Sequence, residues 1–463
     1  MFHVGLEGML HFGLEGYVRY MLYFGGIAVF FASLRRPWIG LYLIVLTLPL
    51  QTIRYRLIGL PMGNKFIDIL LLGVILGVYA TSGKFDFHSP LSGLLLGLTI
   101  FYYLSLWQGT FYLPNRDLPI YFDDPRFSNW KNYVELFLLC LVAMNVVKDK
   151  QKMIWLLLVM VVAILLVNKN FHSTMSDRDT SHFSYDTRTA GALGKAGENG
   201  LGAFEVMVAS FFLGIGAYVK RKVVKLGILA LVGTCVYAIL YSFSRESYLA
   251  FAAALVLLGL LKDRKLLIAI MLVLVAWEVV LPKSVQERIT MTKQDTGNGE
   301  ELDSSSQERV DLWTDAFNLF KKDPIFGIGF DTYEFLHRVG RFSDTHNYYI
   351  KLLVETGIVG LALFLWLFKR VIGLGYSLYR KAEDPFWKSV GLGFLALMFS
   401  SLILNFFGDR WTYQQVDGYL WILLGCVIRG LMIVREQDEQ KPMADFRMVS
   451  ARPAEVPAGV LTA

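Results

Sequence analysis

Charge and cysteine are both scarce in this chain, and each scarcity removes a class of explanation. Only 18% of its 463 residues are Asp, Glu, Lys or Arg, against 55% hydrophobic, and the mean hydropathy is +0.46. A chain this poor in charge cannot clothe the surface of a soluble protein of its size. The three cysteines, Cys140, Cys235 and Cys426, sit inside apolar runs without metal-ligand spacing, which points away from a disulfide framework and from a zinc site. The net charge of +6 is modest. Its cations gather in short loops instead of forming a stripe, so nothing points to nucleic acid. A basic leader is lacking too: MFHVGLEGMLHFGLEGYVRY carries Glu7 and Glu15 ahead of the first apolar run. The first span is therefore expected to stay, with the segment before it lying along the interface as an amphipathic helix.

What the chain has in abundance is apolar runs of bilayer length. Spanning helices are expected at Tyr17–Leu34, Trp38–Leu50, Ile67–Ala80, Leu91–Trp107, Trp130–Val147, Met153–Val167 and Leu201–Val219. Further spans are expected at Leu226–Phe243, Tyr248–Leu261, Leu266–Leu281, Tyr348–Phe368, Phe386–Phe406 and Tyr419–Val434. The fold class is thus all-α and polytopic, with about 12–13 transmembrane helices by the hydropathy criterion. Lys and Arg cluster at 35–36, 148–152, 220–225, 262–265, 369–370, 380–381 and after Val434, which the positive-inside rule assigns to the cytoplasmic side. Alternation leaves Gln51–Phe66, Gln108–Asn129, Asn168–Gly200, Pro282–His346 and Gly408–Gly418 outside. Arg54, Arg56 and Lys65 break this rule, either through a misplaced helix boundary, which is the simpler account, or through contact with an anionic substrate. The tail from Arg435 to Ala463 is rich in charge, Pro and Ala and reads as disordered and cytoplasmic. Three regions follow: 1–200, with the first helices and outer loops; a membrane core over 201–434 that includes the outer loop 282–346; and the tail 435–463.

The outer loops carry the residues suited to chemistry. Ser305 and Glu308 have capping-box spacing, and Val310, Trp313, Phe317 and Phe320 recur at helical steps until Pro324 stops the run. This is an amphipathic helix with Arg309 in its first turn. The arginine could face a pocket or pair with Glu308, Asp311 or Asp315. Arg245, in YSFSRESYLAF, stands between two apolar helices, where a guanidinium must be paired or snorkel. A diphosphate at the membrane surface suits Arg better than Lys, because the planar fork binds two oxygens at once. Glu246 is placed to orient Arg245 or to pair with it. His346 precedes a spanning helix and is a candidate general base for a sugar hydroxyl, or simply a polar helix-start residue. Glu355 is an intramembrane carboxylate, and pairing with Lys351 is its simplest account. RTAGALGKAGENGLGAF offers Arg188, Lys195, Glu198 and Asn199 among glycines that let backbone N–H groups approach phosphate. Asp123 and Asp124 form an acidic pair before Pro125; a turn explains them, and no metal is assigned.

In order, Arg309, the Pro324-x-x-Gly327-x-Gly329 turn, the His346–Asn347 pair and the Glu355-x-Gly357 helix resemble the signature of the O-antigen ligase and polymerase superfamily. SRESYLAF is similar to that superfamily's Ser-Arg helix start, and the likeness extends over Leu201–Val434. LRRPWIGLYL and DPRFSNWK resemble segments of ligase-type members. The Asn199 segment departs from the family's commoner Pro-Asn form. The resemblance implies an enzyme of GT-C-like helical fold in a bacterial inner membrane, with its cavity facing the periplasm. Arg245 and Arg309 would hold an undecaprenyl diphosphate leaving group and His346 would assist an acceptor hydroxyl, inverting the anomeric centre without metal or cofactor. Arg188, Asn199, Asn347, Tyr348 and Glu355 would line the substrate. The implied partners are a lipid-linked glycan donor, a glycan, lipid or protein acceptor, and membrane lipid. A flippase or transporter of polar solutes is the rival class; the lack of visible inverted halves and the large, asymmetric outer segment weigh against it.

Overall fold

The computed structural model describes residues 6–114, 118–121, 124–291, 293–295, 300–302, 304–339 and 344–450, with side-chain surroundings left aside for 6–16, 293–306 and 440–450. Seventeen α-helices run through it. The first seven are α1 (Leu6–Arg35), α2 (Pro37–Thr47), α3 (Gln51–Tyr55), α4 (Phe66–Ser82), α5 (Ser92–Gly109), α6 (Pro125–Val146) and α7 (Lys150–Ser176). Then follow α8 (Gly197–Gly216), α9 (Lys222–Tyr241), α10 (Arg245–Leu261), α11 (Lys265–Val275), α12 (Trp277–Val280) and α13 (Lys283–Thr290). A short antiparallel pair, β1 (Lys293–Asp295) with β2 (Glu300–Leu302), precedes α14 (Ser304–Phe320), α15 (Tyr348–Lys381), α16 (Pro385–Leu404) and α17 (Gln414–Ser450).

Each of the thirteen apolar runs is helical. Among the described residues, eight helices are long and apolar enough to cross a membrane by length and composition: α1, α4, α7, α8, α9, α15, α16 and α17. The remaining runs fall on α2, α5, α6, α10 and α11, which are shorter or more polar. The chain is therefore an all-helical polytopic membrane protein apart from its one small hairpin. Two details differ from the sequence reading. The N-terminal segment is continuous with the first span as one helix from Leu6, so it is not a separate interfacial element. The end of α17 continues through Arg435 to Ser450, because REQDEQ is made of good helix formers that extend an already nucleated helix. Ala451–Ala463 lie outside the described residues.

At the centre stands α8, buried along almost its whole length between α9, α10 and α16. Small residues let the backbones close in: a side chain at Gly214 would strike the backbone of Gly393 on α16, and one at Gly425 on α17 would strike Cys140 on α6. Without a hydrophobic drive between helices in lipid, such close packing holds a bundle together. The chain order also sorts the loops. The starts of α8, α10 and α15 share one end of the bundle, while the basic loops at 220–225, 262–265 and 380–381 follow the other ends of those helices.

The distinctive departure from regular helix is in α15. Gly357 adopts φ 66° and ψ −170°, which breaks the helix into 348–356 and 358–381. Broken backbone at membrane depth survives only where protein resupplies its hydrogen bonds. Here the segment after α14 does so: Ile358 N donates to Pro324 O (3.0 Å) and Val359 N to Ile325 O (3.2 Å). In return Ile328 N donates to Val354 O (3.0 Å) and Gly329 N to Glu355 O (2.8 Å). A Cβ at Gly357 would collide with the Ile325 carbonyl, and Gly329, at φ 107°, lies against Gly109 of α5. The Pro-x-x-Gly-x-Gly and Glu-x-Gly segments are thus two halves of one inserted joint.

Candidate active site

The joint fixes the floor of the site. Glu355 accepts hydrogen bonds from Asp331 N (3.0 Å) and Tyr333 N (3.1 Å), so its carboxylate shapes the loop after Gly329. Lys351 pairs with Asp409 (2.8 Å) and lies 3.8 Å from Asp331; Asp409, not Glu355, is its ion-pair partner. Burial raises the pKa of Asp331, with the nearby Lys351 charge opposing it. Above this floor, α14 packs Leu312, Ala316 and Leu319 onto Ile328, Tyr333 and Val354. Trp313 and Phe320 join that face as expected, whereas Val310 and Phe317 stay exposed. The buried stripe is therefore turned from the anticipated one, because the helix rests on the joint at one flank. The capping-box residue Ser305 lies among the residues whose side chains are not described.

The middle of α14 positions the histidine. Trp313 Nε1 donates to Thr345 O (2.9 Å), and Thr345 Oγ1 donates to Asn347 O (2.7 Å). Between them His346 takes a left-handed backbone, φ 50°, which is costly for a side-chain-bearing residue and is held by its neighbours. Its backbone N–H donates to Asp344 Oδ1 (2.6 Å), and its ring Nδ1 lies 2.9 Å from the same oxygen. Burial alone would raise the pKa of Asp344, but the His346 contacts and the Lys351 charge hold it well below the usual carboxylate range. An ionised Asp344 accepts a hydrogen bond from Nδ1–H and so favours the tautomer with its lone pair on Nε2, the one a general base requires.

The second feature is a gathering of arginines around the turn between α9 and α10. Arg188 Nε donates to Ser242 O (3.2 Å) and Arg288 Nε to Phe243 O (3.1 Å). The next residues are Ser244, Arg245 and Glu246. Glu246 is 2.6 Å from Arg410 and 3.8 Å from Arg309. Arg309 thus faces Glu246 across the fold, while Asp315 holds Arg338 at 2.9 Å. Burial disfavours charge on Arg410, and Glu246 overcomes it, keeping the guanidinium firmly protonated. Arg188, Arg288, Arg309 and Arg410 therefore gather around Glu246, the first two anchored by neutral carbonyls, and Arg245 adjoins Glu246 in the chain. Asp344 also lies close enough to Arg410 to act on its charge, so the arginines and the Asp344–His346 pair belong to one site.

Other expected site residues sit around this core in different roles. Asn199 accepts a hydrogen bond from Arg188 (2.5 Å) and so orients it. The Asn347 side chain caps α15, accepting from Tyr349 N (3.0 Å) and Ile350 N (3.1 Å). Tyr348 is buried, with its hydroxyl donating to Tyr133 (3.0 Å). Asp124 caps α6 through Arg126 N and Phe127 N, and Asp123 lies outside the described residues. Among the described residues no cluster of three His, Cys, Asp or Glu side chains is placed to hold a metal ion.

A polar cavity of about 490 Å³ opens beside Asp344. Its walls include Asn129 and Asn132 of α6, Gln414 and Gln415 of α17, and Asp409 between α16 and α17. Arg54 reaches it from α3, after α2 has already ended at Thr47, so a misplaced helix boundary does not account for this arginine. Burial pushes its pKa down to about 10, which leaves it charged at neutral pH. Reading the sequence alone misses Arg288, Asp409 and Arg410. The last two had a signal, an oppositely charged pair in FFGDRW at the mouth of an apolar helix; Arg288 had none beyond lying in an outer loop.

Residues 230–365 match the family model described as O-Antigen ligase. No curated protein matches the chain. The matched segment spans Arg245, Glu246, Arg288, Arg309, Asp344, His346 and the joint at Gly357, but neither Arg188 nor the Asp409–Arg410 pair.

Proposed function

We propose that this chain, which belongs to the O-antigen ligase family, transfers a glycan from an undecaprenyl diphosphate carrier to an acceptor hydroxyl. The reaction serves O-antigen, exopolysaccharide or other glycoconjugate assembly. The observation that carries this reading is the gathering of Arg188, Arg288, Arg309 and Arg410 around Glu246, next to Arg245 in the chain, at the same end of the bundle as the Asp344–His346 pair. A polyprenyl diphosphate has its tail in lipid and its charge at the surface, which is where these guanidiniums lie. As the glycosidic C–O bond breaks, negative charge accumulates on the departing diphosphate. Cations already fixed in place stabilise that charge more than they stabilise the bound donor, and so lower the barrier. His346 Nε2 removes the acceptor proton as the hydroxyl attacks the anomeric carbon from the opposite face, inverting it; Asp344 stabilises the resulting imidazolium. Arg245 and Arg309 hold the diphosphate directly, with Arg188 oriented by Asn199 and Arg410 by Glu246.

The basic loops at the opposite end of α8, α10 and α15 favour a cytoplasmic placement for that end, and hence a periplasmic site in an inner membrane. Reconstitution into liposomes with a purified polyprenyl-diphosphate oligosaccharide tests the reading. Product bearing the glycan on a new hydroxyl, with an inverted linkage and undiminished in EDTA, is expected. Movement of the lipid-linked glycan across the bilayer without any new glycosidic bond would replace the enzyme reading by the transport one.

A further inference from the structure

The cavity beside Asp344 differs in kind from the arginine cluster. Its cations are Arg54, Lys195 and Lys351, and its carboxylates are Asp331, Glu334, Asp344 and Asp409, so positive charge has no surplus there. Most of these charges are engaged internally: Lys351 with Asp409 at 2.8 Å, Asp344 with His346 at 2.9 Å, and Asp331 with Asn129 Nδ2 at 2.8 Å. The rest of the wall is amide and aromatic, with Asn132, Gln414, Gln415, Tyr133, Phe330 and Tyr413. Amides both donate to and accept from hydroxyls, carboxylates accept from them, and ring faces cover the C–H side of a pyranose. The volume, about 490 Å³, lies within the span of roughly 300–1,000 Å³ usual for small-molecule sites.

We propose that this cavity is the acceptor subsite and that it takes an uncharged, polyhydroxylated glycan end in preference to a phosphorylated one. The proposal rests on the transfer reading above and adds the chemical class of the acceptor. Position supports it. Asp344 both lines the cavity and holds the His346 ring, so the cavity ends beside the proposed base, and Arg410, next in the chain to the lining Asp409, turns to Glu246 and the arginines. The walls at Gln51, Asn129, Asn132 and 412–415 come from outside residues 230–365. The matched segment thus supplies His346, Arg245 and Arg309, and the rest of the chain supplies most of the surface that selects the acceptor.

The test uses the full chain in nanodiscs and oligosaccharides released by mild acid from the lipid-linked glycans of the producing cell, separated into uncharged and phosphorylated fractions. Calorimetry reads acceptor binding without turnover. The uncharged fraction is expected to bind about tenfold or more tighter, the difference one well-placed polar interaction makes. Asn132→Ala and Glu334→Gln should each weaken it several-fold and raise the acceptor KM by the same factor, with donor affinity unchanged; Arg309→Ala should do the reverse. Equal or tighter binding of the phosphorylated fraction, no binding of any uncharged fraction, or a loss of donor affinity in both cavity variants would overturn the assignment. Failure of the two readings looks different. Uncharged glycan that binds but is never glycosylated removes the transfer reading and leaves the subsite. Active transfer with an unchanged acceptor KM in both variants removes the subsite alone.

Discussion

On one side of the Asp409–Arg410 dipeptide the charges of this protein are left open, and on the other they are closed. Arg410 turns to Glu246 and joins guanidiniums held by the carbonyls of Ser242 and Phe243. Asp409 turns to Lys351 and joins a buried set in which carboxylates and the ammonium satisfy one another. On the first side the single carboxylate Glu246 faces both Arg309 and Arg410 while Arg188 and Arg288 rest on neutral carbonyls, so positive charge is left over for a ligand; around Lys351 the carboxylates outnumber the cation. The first arrangement suits a diphosphate. The second fixes backbone, since it ties the α16–α17 loop to α15 and to the loop after Gly329.

The largest effect should come from opening the arginine side further. Arg245→Ala and Arg309→Ala are each expected to reduce transfer by about 10³-fold, the upper end for loss of a preorganised charge-stabilising group. Lys at either position should recover little, because it lacks the two-pronged geometry. Donor turnover in the reconstituted system, at matched membrane levels, decides. Full transfer by both alanine variants would end the case for a diphosphate clamp.

His346→Ala comes next, with transfer down by roughly 10²–10⁴-fold, the range for a lost general base, and donor binding retained. Its partner predicts a pH behaviour. The folded pKa of Asp344 is depressed below its ordinary 3.8. The stabilisation it brings is therefore present above that value and lost only as pH falls through the lower, folded value. Between pH 5 and 8 the His346 segment should keep its conformation, so any acid limb of the rate in that window should disappear in His346→Ala rather than reflect unfolding. Rate profiles and Tyr or Trp fluorescence recorded together would expose unfolding instead.

On the closed side the expected change is in stability. Lys351→Met leaves Asp409 and Asp331 buried without their cation, which costs about 3–5 kcal/mol. A second change, Asp409→Leu in the same chain, should return much of that, since apolar replacement of a whole buried pair is often neutral. Thermal unfolding in detergent reads both. If Lys351→Met left the melting temperature untouched while abolishing acceptor binding, the lysine would be a ligand contact of the cavity and not a scaffold charge.

How far the sequence foretells this division depends on the kind of contact. Apolar runs foretell all eight helices that are long and apolar enough to span among the described residues, because length and hydropathy act locally. Arg245, Arg309 and His346 stand out because charge at the mouth of an apolar helix needs a reason. Their partners do not stand out. Glu246 looks like the neighbour of Arg245 and instead reaches Arg309 and Arg410, 164 residues along the chain from the latter. Lys351 looks like the partner of Glu355 one turn away and instead takes Asp409, 58 residues on. The exchange at Gly357 likewise depends on two segments meeting, which no periodicity of either one encodes.

The smallest effect expected tests whether Asn347 belongs to the substrate or to the scaffold. Its side-chain oxygen accepts from Tyr349 N and Ile350 N at the start of α15, which satisfies donors that no helix can satisfy internally. Removing such a cap costs about 1 kcal/mol. Asn347→Ala should therefore lower thermal stability by that amount and slow transfer only modestly, through a looser His346. Asn347→Ser tells the two roles apart. A serine oxygen can cap the helix but cannot present an amide N–H to a glycan, so restored stability together with restored transfer marks a cap. Restored stability with transfer still impaired, and a raised KM for donor or acceptor, would mark a ligand contact and move Asn347 from the scaffold into the site.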